Sequence, residues 1–241
     1  MAFPEKTMRK IIYTACTIAC LLSCAQGYKI KGESSISSIE GKAISLKAPN
    51  GQTWRTLDSC EVLHGKFAMK GKVDSTLIAT LFLNGYPLMP IILEPGKCEV
   101  TISDAALKVE GTPLNDSLYK FIANKYELDL RALELERLEA QMIMNGYRQD
   151  EIQQRIDSTF QTLNEEMHTL VRGFIKRNYT NVLSLCGFSM LCNGLPRPII
   201  TPLIQSVVDD APKSFLDHPT IKEFLREARE NIASYDIALQ E

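Results

Sequence analysis

The sequence predicts an α+β protein, an N-terminal antiparallel β-sandwich followed by an all-α helical domain. Three observations predict it. Between Tyr28 and Val109 apolar residues alternate, as in Tyr28/Ile30, Ile44/Leu46/Ala48 and Phe67/Met69, the period of a strand with one buried face. Turn chemistry interrupts that stretch roughly every eight to twelve residues, the rhythm of a sandwich or barrel. From Thr112 onward the apolar spacing changes to threes and fours, which gives a helix one buried stripe. The reading divides the chain into a leader over 1–23, a tether over 24–27, a β-sandwich over 28–110 and a helical domain over 111–241.

The leader comes first. Lys6, Arg9 and Lys10 form a basic segment, and Ile11–Leu22 is apolar. That apolar run is shorter than the ~20 residues a permanent membrane helix needs. It ends in Leu21-Leu22-Ser23-Cys24, which resembles the lipobox of bacterial lipoproteins. The resemblance implies cleavage before Cys24 and acylation of its thiol and new amino terminus, so the mature protein meets the membrane through its N-terminal lipid. An ordinary secretory signal with incidental cysteines is the alternative. The expected location is the cell envelope, lipid-anchored, at the outer membrane facing the periplasm.

The strand candidates follow in order: 28–33, 42–48, 52–57, 59–63, 66–71, 77–84, 89–93, 99–102 and 107–109. Pro49-Asn50-Gly51 and His64-Gly65 carry the residues that accept the positive φ of tight hairpins. Leu77–Leu83 hardly alternates, so it reads as a central strand covered on both faces. Glu94-Pro95-Gly96 reads as a turn, since Pro fixes φ and Gly supplies freedom.

Several short motifs recur here in a fixed order. They are Lys31-Gly32, Asp58-Ser59-Cys60, Gly65-Lys66-Phe67 with Gly71, Leu93-Glu94-Pro95-Gly96 and Gly111-Thr112-Pro113-Leu114-Asn115-Asp116. Together they resemble the domain of unknown function 4369, found in lipoproteins of anaerobic gut bacteria. In many relatives this domain and a helical segment precede a thioredoxin-like thiol:disulfide interchange domain. This sequence has no C-x-x-C, so the resemblance implies no redox activity of its own.

Thr112-Pro113 reads as the N-cap and first position of a helix, with Asp116 in its first turn. Leu128, Ala132, Leu135, Leu138 and Met142 form the inward stripe, and Asn145-Gly146 stops the helix. A second helix, 150–177, carries Ile152, Ile156, Phe160, Leu163, Met167, Leu170 and Phe174 inward. The short connection predicts an antiparallel hairpin. An almost wholly apolar helix over 182–192 reads as buried, and two more start at Thr201-Pro202 and His218-Pro219. The last of these is expected to turn Ile221, Phe224, Leu225, Ala228 and Ile232 inward.

Composition and charge narrow the function. Hydrophobic residues make up 45% of the chain and charged residues 23%, ordinary for a globular protein. Residues 1–23 hold Lys6, Arg9, Lys10 and Glu5, and without them 24 basic and 28 acidic residues remain. A mildly acidic protein gives no electrostatic ground for nucleic-acid binding. Cys60, Cys98, Cys186 and Cys192 lie in the folded part; a Cys60–Cys98 bridge is open, and buried free thiols are the plainer expectation. No nucleophile, P-loop or zinc-protease motif occurs, and the acidic run Glu134–Glu139 reads as a solvated face. His64, His168 and His218 are far apart in sequence. No catalytic residue, metal site or cofactor is therefore expected. Trp54, the one tryptophan, is expected in the core, with a stacking platform for a peptide or glycan as the sharper alternative.

The expected role is a binding or interaction module with a periplasmic protein, peptide or glycan as partner. An accessory partner of a thiol:disulfide interchange system and a hydrolase of unrecognised type are the other two readings.

Overall fold

Hairpin chemistry sets the strand order of the first unit. In the computed structural model, residues 27–51 and 53–238 are described. Cys24 and the leader, on which the lipidation expectation falls, lie outside the described residues. β1 (Gly27–Ser34), β2 (Ala43–Asn50), β3 (Thr53–Glu61) and β4 (Lys66–Lys72) come first. β5 (Leu77–Leu83), β6 (Tyr86–Leu93), β7 (Gly96–Ile102) and β8 (Leu107–Glu110) follow. They form two four-stranded sheets of a sandwich, ordered β4-β1-β7-β8 and β3-β2-β5-β6. The β3–β4 turn places both His64 (φ 54°) and Gly65 (φ 68°) in the left-handed region, as a two-residue hairpin requires. The Glu40 carboxylate takes the backbone N–H groups of His64 and Gly65 at 2.7 and 2.9 Å, which clasps that turn.

Two details differ from expectation. The segments 52–57 and 59–63 belong largely to one strand, β3. Leu46 pairs Asp58 and Lys47 pairs Thr56, so Leu57 is an extra residue in a bulge, and a bulge breaks the alternation without ending the strand. The antiparallel expectation fails at one pair: β1 runs parallel to β7 from Tyr28↔Gly96 to Ser34↔Ile102. β4 already holds one edge of β1, and β7, arriving from the other sheet, runs along the free edge in the β1 direction. Pairs β1–β4, β2–β3, β2–β5 and β5–β6 are antiparallel. Ile30, Ile44, Leu46, Leu81, Ile91 and Val100 are fully or almost fully buried, and they mark the core.

The chain divides into two compact units between Leu107 and Lys108, a few residues ahead of the expected joint. The second unit contains α1 (Pro113–Met144), α2 (Gln149–Arg177), α3 (Leu183–Cys192), α4 (Pro202–Asp209), α5 (Lys213–Leu216) and α6 (Pro219–Ala238). α1 and α2 pack as a hairpin, and Phe121 stacks on Phe174 with ring centres 4.0 Å apart. Thr201 caps α4 by accepting from the Ile204 N–H. α3 lies close on α2, because a Cβ on Gly187 would stand 2.9 Å from Ile175 and Phe174.

The inward stripes need correction at three positions. Ala132, Phe160 (61% exposed) and Ile232 (45%) face outward. At 3.6 residues per turn, the position that continues the α2 stripe one turn before Leu163 is the half-buried Thr159. Apolar character alone favoured Phe160.

Candidate functional site

The first unit carries the site, and glycine–aromatic pairs build it. On the β1–β4 pair, Tyr28 faces Gly71, Ile30 faces Met69 and Gly32 faces Phe67. Each glycine makes room for the ring opposite. A Cβ on Gly32 would fall 2.0 Å from the Phe67 ring, and one on Gly71 would fall 2.5 Å from the Tyr28 oxygen. Tyr28 is thereby laid flat across β4, only 5% exposed.

Edge strands β3 and β4 run side by side after their shared turn, one from each sheet. A cleft of about 400 Å³ opens where they part. Arg55 and Leu57 of β3, Lys70, Gly71 and Lys72 of β4, and the following Val73, Asp74 and Ser75 line it, with Tyr28, Leu77 and Leu93. The cations Arg55, Lys70 and Lys72 thus line the cleft with one carboxylate, Asp74, and a second, Asp58, stands beside it. Burial, and then the charge of Asp58, raise the Tyr28 phenol above its ordinary value, so it is a proton donor at neutral pH. Asp58 itself accepts the N–H groups of Ser59 at 2.8 Å and Lys70 at 3.3 Å, which pins β3 to β4 beside the cleft. Cations, a phenol and a hydroxyl lining one cleft suit a carboxylate or phosphate ligand.

Trp54 does not join this cleft. It neighbours Arg55 on β3 and pairs with Pro49, so its side chain lies on the other face of the sheet. It is 48% exposed rather than buried. Its edge meets the Phe82 ring at 5.0 Å, and the Lys47 ammonium sits 4.5 Å from the same ring centre. The indole is half structural and half open, a surface on which a ring could stack.

The four described cysteines are free thiols. Cys60 belongs to β3 of one sheet and Cys98 to β7 of the other, and they form no bridge. Burial pushes the Cys98 thiol up to about 11. It pushes Cys186 and Cys192 up to about 12. Among the described residues no three His, Cys, Asp or Glu side chains come together as a metal site. His64 stands in the β3–β4 turn, His168 is half-buried on α2, and the Nδ1 of His218 accepts the Thr220 N–H at 3.3 Å.

Sequence reasoning missed Arg55, Lys70, Lys72 and Tyr28. Lys70-Gly71-Lys72 on an edge strand was the available signal, but the bulge at Leu57 hides which β3 residue stands across from it. No described helix is long and apolar enough to cross a membrane.

Residues 28–118 match a family model described as Domain of unknown function (DUF4369). The match takes in the whole cleft and ends in the first turns of α1. No curated protein and no solved structure matches the chain.

Proposed function

The β domain belongs to the domain of unknown function 4369 family, and from that premise we propose that the chain is a lipid-anchored binding module of the cell envelope that holds an acidic ligand. In this reading residues 1–23 are a signal peptide. Cys24 is the mature terminus, carrying diacylglycerol and an amide-linked acyl chain such as palmitate, at the outer membrane facing the periplasm. Leu21-Leu22-Ser23-Cys24 behind a basic segment supports the anchor. More than one acyl chain is needed for stable attachment, and this modification supplies them.

One observation carries the ligand assignment: Arg55, Lys70 and Lys72 line one cleft with the protonated Tyr28 phenol, three cations against the lining carboxylate Asp74 and the neighbouring Asp58. The ligand is a carboxylate- or phosphate-bearing peptide or glycan fragment. Titration calorimetry of the mature protein with triglutamate and with trilysine tests it. Saturable heat is expected with triglutamate alone, weakened about tenfold or more in Lys70→Glu/Lys72→Glu, since reversing two cations turns attraction into repulsion. Equal binding of both peptides, or indifference to the double variant, rejects the cleft.

A further inference from the structure

α1 has two apolar stripes, and only one of them is used by its own fold. Leu118, Phe121, Leu135 and Met142 are buried. On the other side Tyr126, Leu130, Leu133, Ala140 and Met144, interrupted by the one cation Arg137 between Leu133 and Ala140, recur at alternating fours and threes, the spacing of a coiled-coil seam. All six are exposed, with Tyr126 at 62%, Leu133 at 59% and Met144 at 78%. The seam is about 27 Å long at 1.5 Å per residue, enough for a helix of several turns.

Charge says what kind of helix fits. Glu127 and Glu134 flank the seam on one side, Asp129 and Glu136 on the other. Asp129 is paired with Lys125, whereas Glu127, Glu134 and Glu136 form no ion pair among the described residues. Beside the seam, a groove of about 660 Å³ between α1 and α2 is lined by Glu127, Glu165 and Glu166, with Arg131 bound to Glu166. The helical segment 111–241 has 14 basic and 19 acidic residues. A second copy would bring acidic flanks against acidic flanks, and juxtaposed like charges disfavour that pairing. An apolar seam between carboxylates fits a partner that is apolar along one stripe and basic beside it.

We propose that the outer face of α1, from Tyr126 to Met144, docks an amphipathic helix with basic flanks from another protein. Leu130 and Leu133 fill the partner's seam, and Glu127, Glu134 and Glu136 meet its Lys or Arg side chains. This surface is independent of the cleft in the first unit.

The test uses the full mature protein and two four-heptad peptides with Leu at the a and d positions, one with Lys and one with Glu at e and g. The Lys peptide is expected to bind saturably and to protect the amides of 126–144 from hydrogen exchange, with the Glu peptide about tenfold weaker or worse. Leu130→Asp and Leu133→Asp are surface changes, and each is expected to weaken the Lys peptide by about tenfold while leaving the thermal midpoint unchanged. Equal binding of both peptides, protection elsewhere, or indifference to both variants overturns the proposal. So does a concentration-dependent dimer abolished by Leu133→Asp, which would make the occupant a second copy.

Discussion

The ring of Tyr28 lies across Gly71, its cross-strand partner on β4, so closely that a methyl group on Gly71 would stand 2.5 Å from the phenol oxygen. By intrinsic preference a β-branched residue on a strand is an improvement on glycine. Here it is not. Gly71→Val must push the phenol out of the cleft wall or shift β4, and such overpacking costs about 1–3 kcal/mol. Gly194→Ala serves as the control, because an added Cβ there meets nothing within 4 Å. Urea unfolding is expected to show the loss for Gly71→Val and a change within about 0.5 kcal/mol for Gly194→Ala.

The same pair shows what the sequence could and could not say. Alternation placed Tyr28, Ile30, Phe67 and Met69 on inward faces, and all four are buried. The glycines between them were legible as motif residues, not as the space for the rings opposite, because cross-strand register is a non-local fact. Gly111–Asp116 was similarly half legible. Thr112 does cap α1 in position, but its Oγ1 accepts from the buried Asn115 Nδ2 at 2.8 Å, and the Asp116 carboxylate reaches back to the Gly111 N–H at 2.8 Å. The cleft was illegible for a plainer reason. It is assembled from edge strands of two different sheets, and no local spacing encodes their meeting.

Thiol chemistry gives a prediction with a pH sign. Burial raises Cys98 to about 11, against 9.0 for an ordinary thiol. Burial likewise raises Cys186 and Cys192 to about 12. A raised folded-state value means the fold favours the neutral thiol. That contribution is complete below the unfolded value, and it is lost as pH rises through the folded values. Stability is therefore expected to fall between pH 9.0 and about 12, with a shallower slope in Cys186→Ala. At neutral pH a thiol reagent should label the buried Cys98 and Cys186 only as fast as the protein unfolds. Rapid labelling of the native protein, with turnover in insulin-disulfide reduction, would return the chain to the redox enzymes.

The anchor is tested by fractionation. Cys24→Ala is expected to leave the protein unprocessed or soluble, while the wild type sediments with membranes and carries acyl mass on its N-terminal peptide. Membrane association of Cys24→Ala at normal mature mass would contradict the anchor.

Whether the end of the sandwich holds an acidic ligand is read from the backbone amide resonances of the mature protein while triglutamate is added. Saturable shifts are expected at the cleft-lining residues, Arg55, Lys70, Gly71, Lys72, Asp74 and Ser75 among them, and they are expected to disappear in Lys70→Glu/Lys72→Glu. Shifts spread over unrelated lysines of the surface, or shifts that persist unchanged in that variant, would contradict an acidic ligand there.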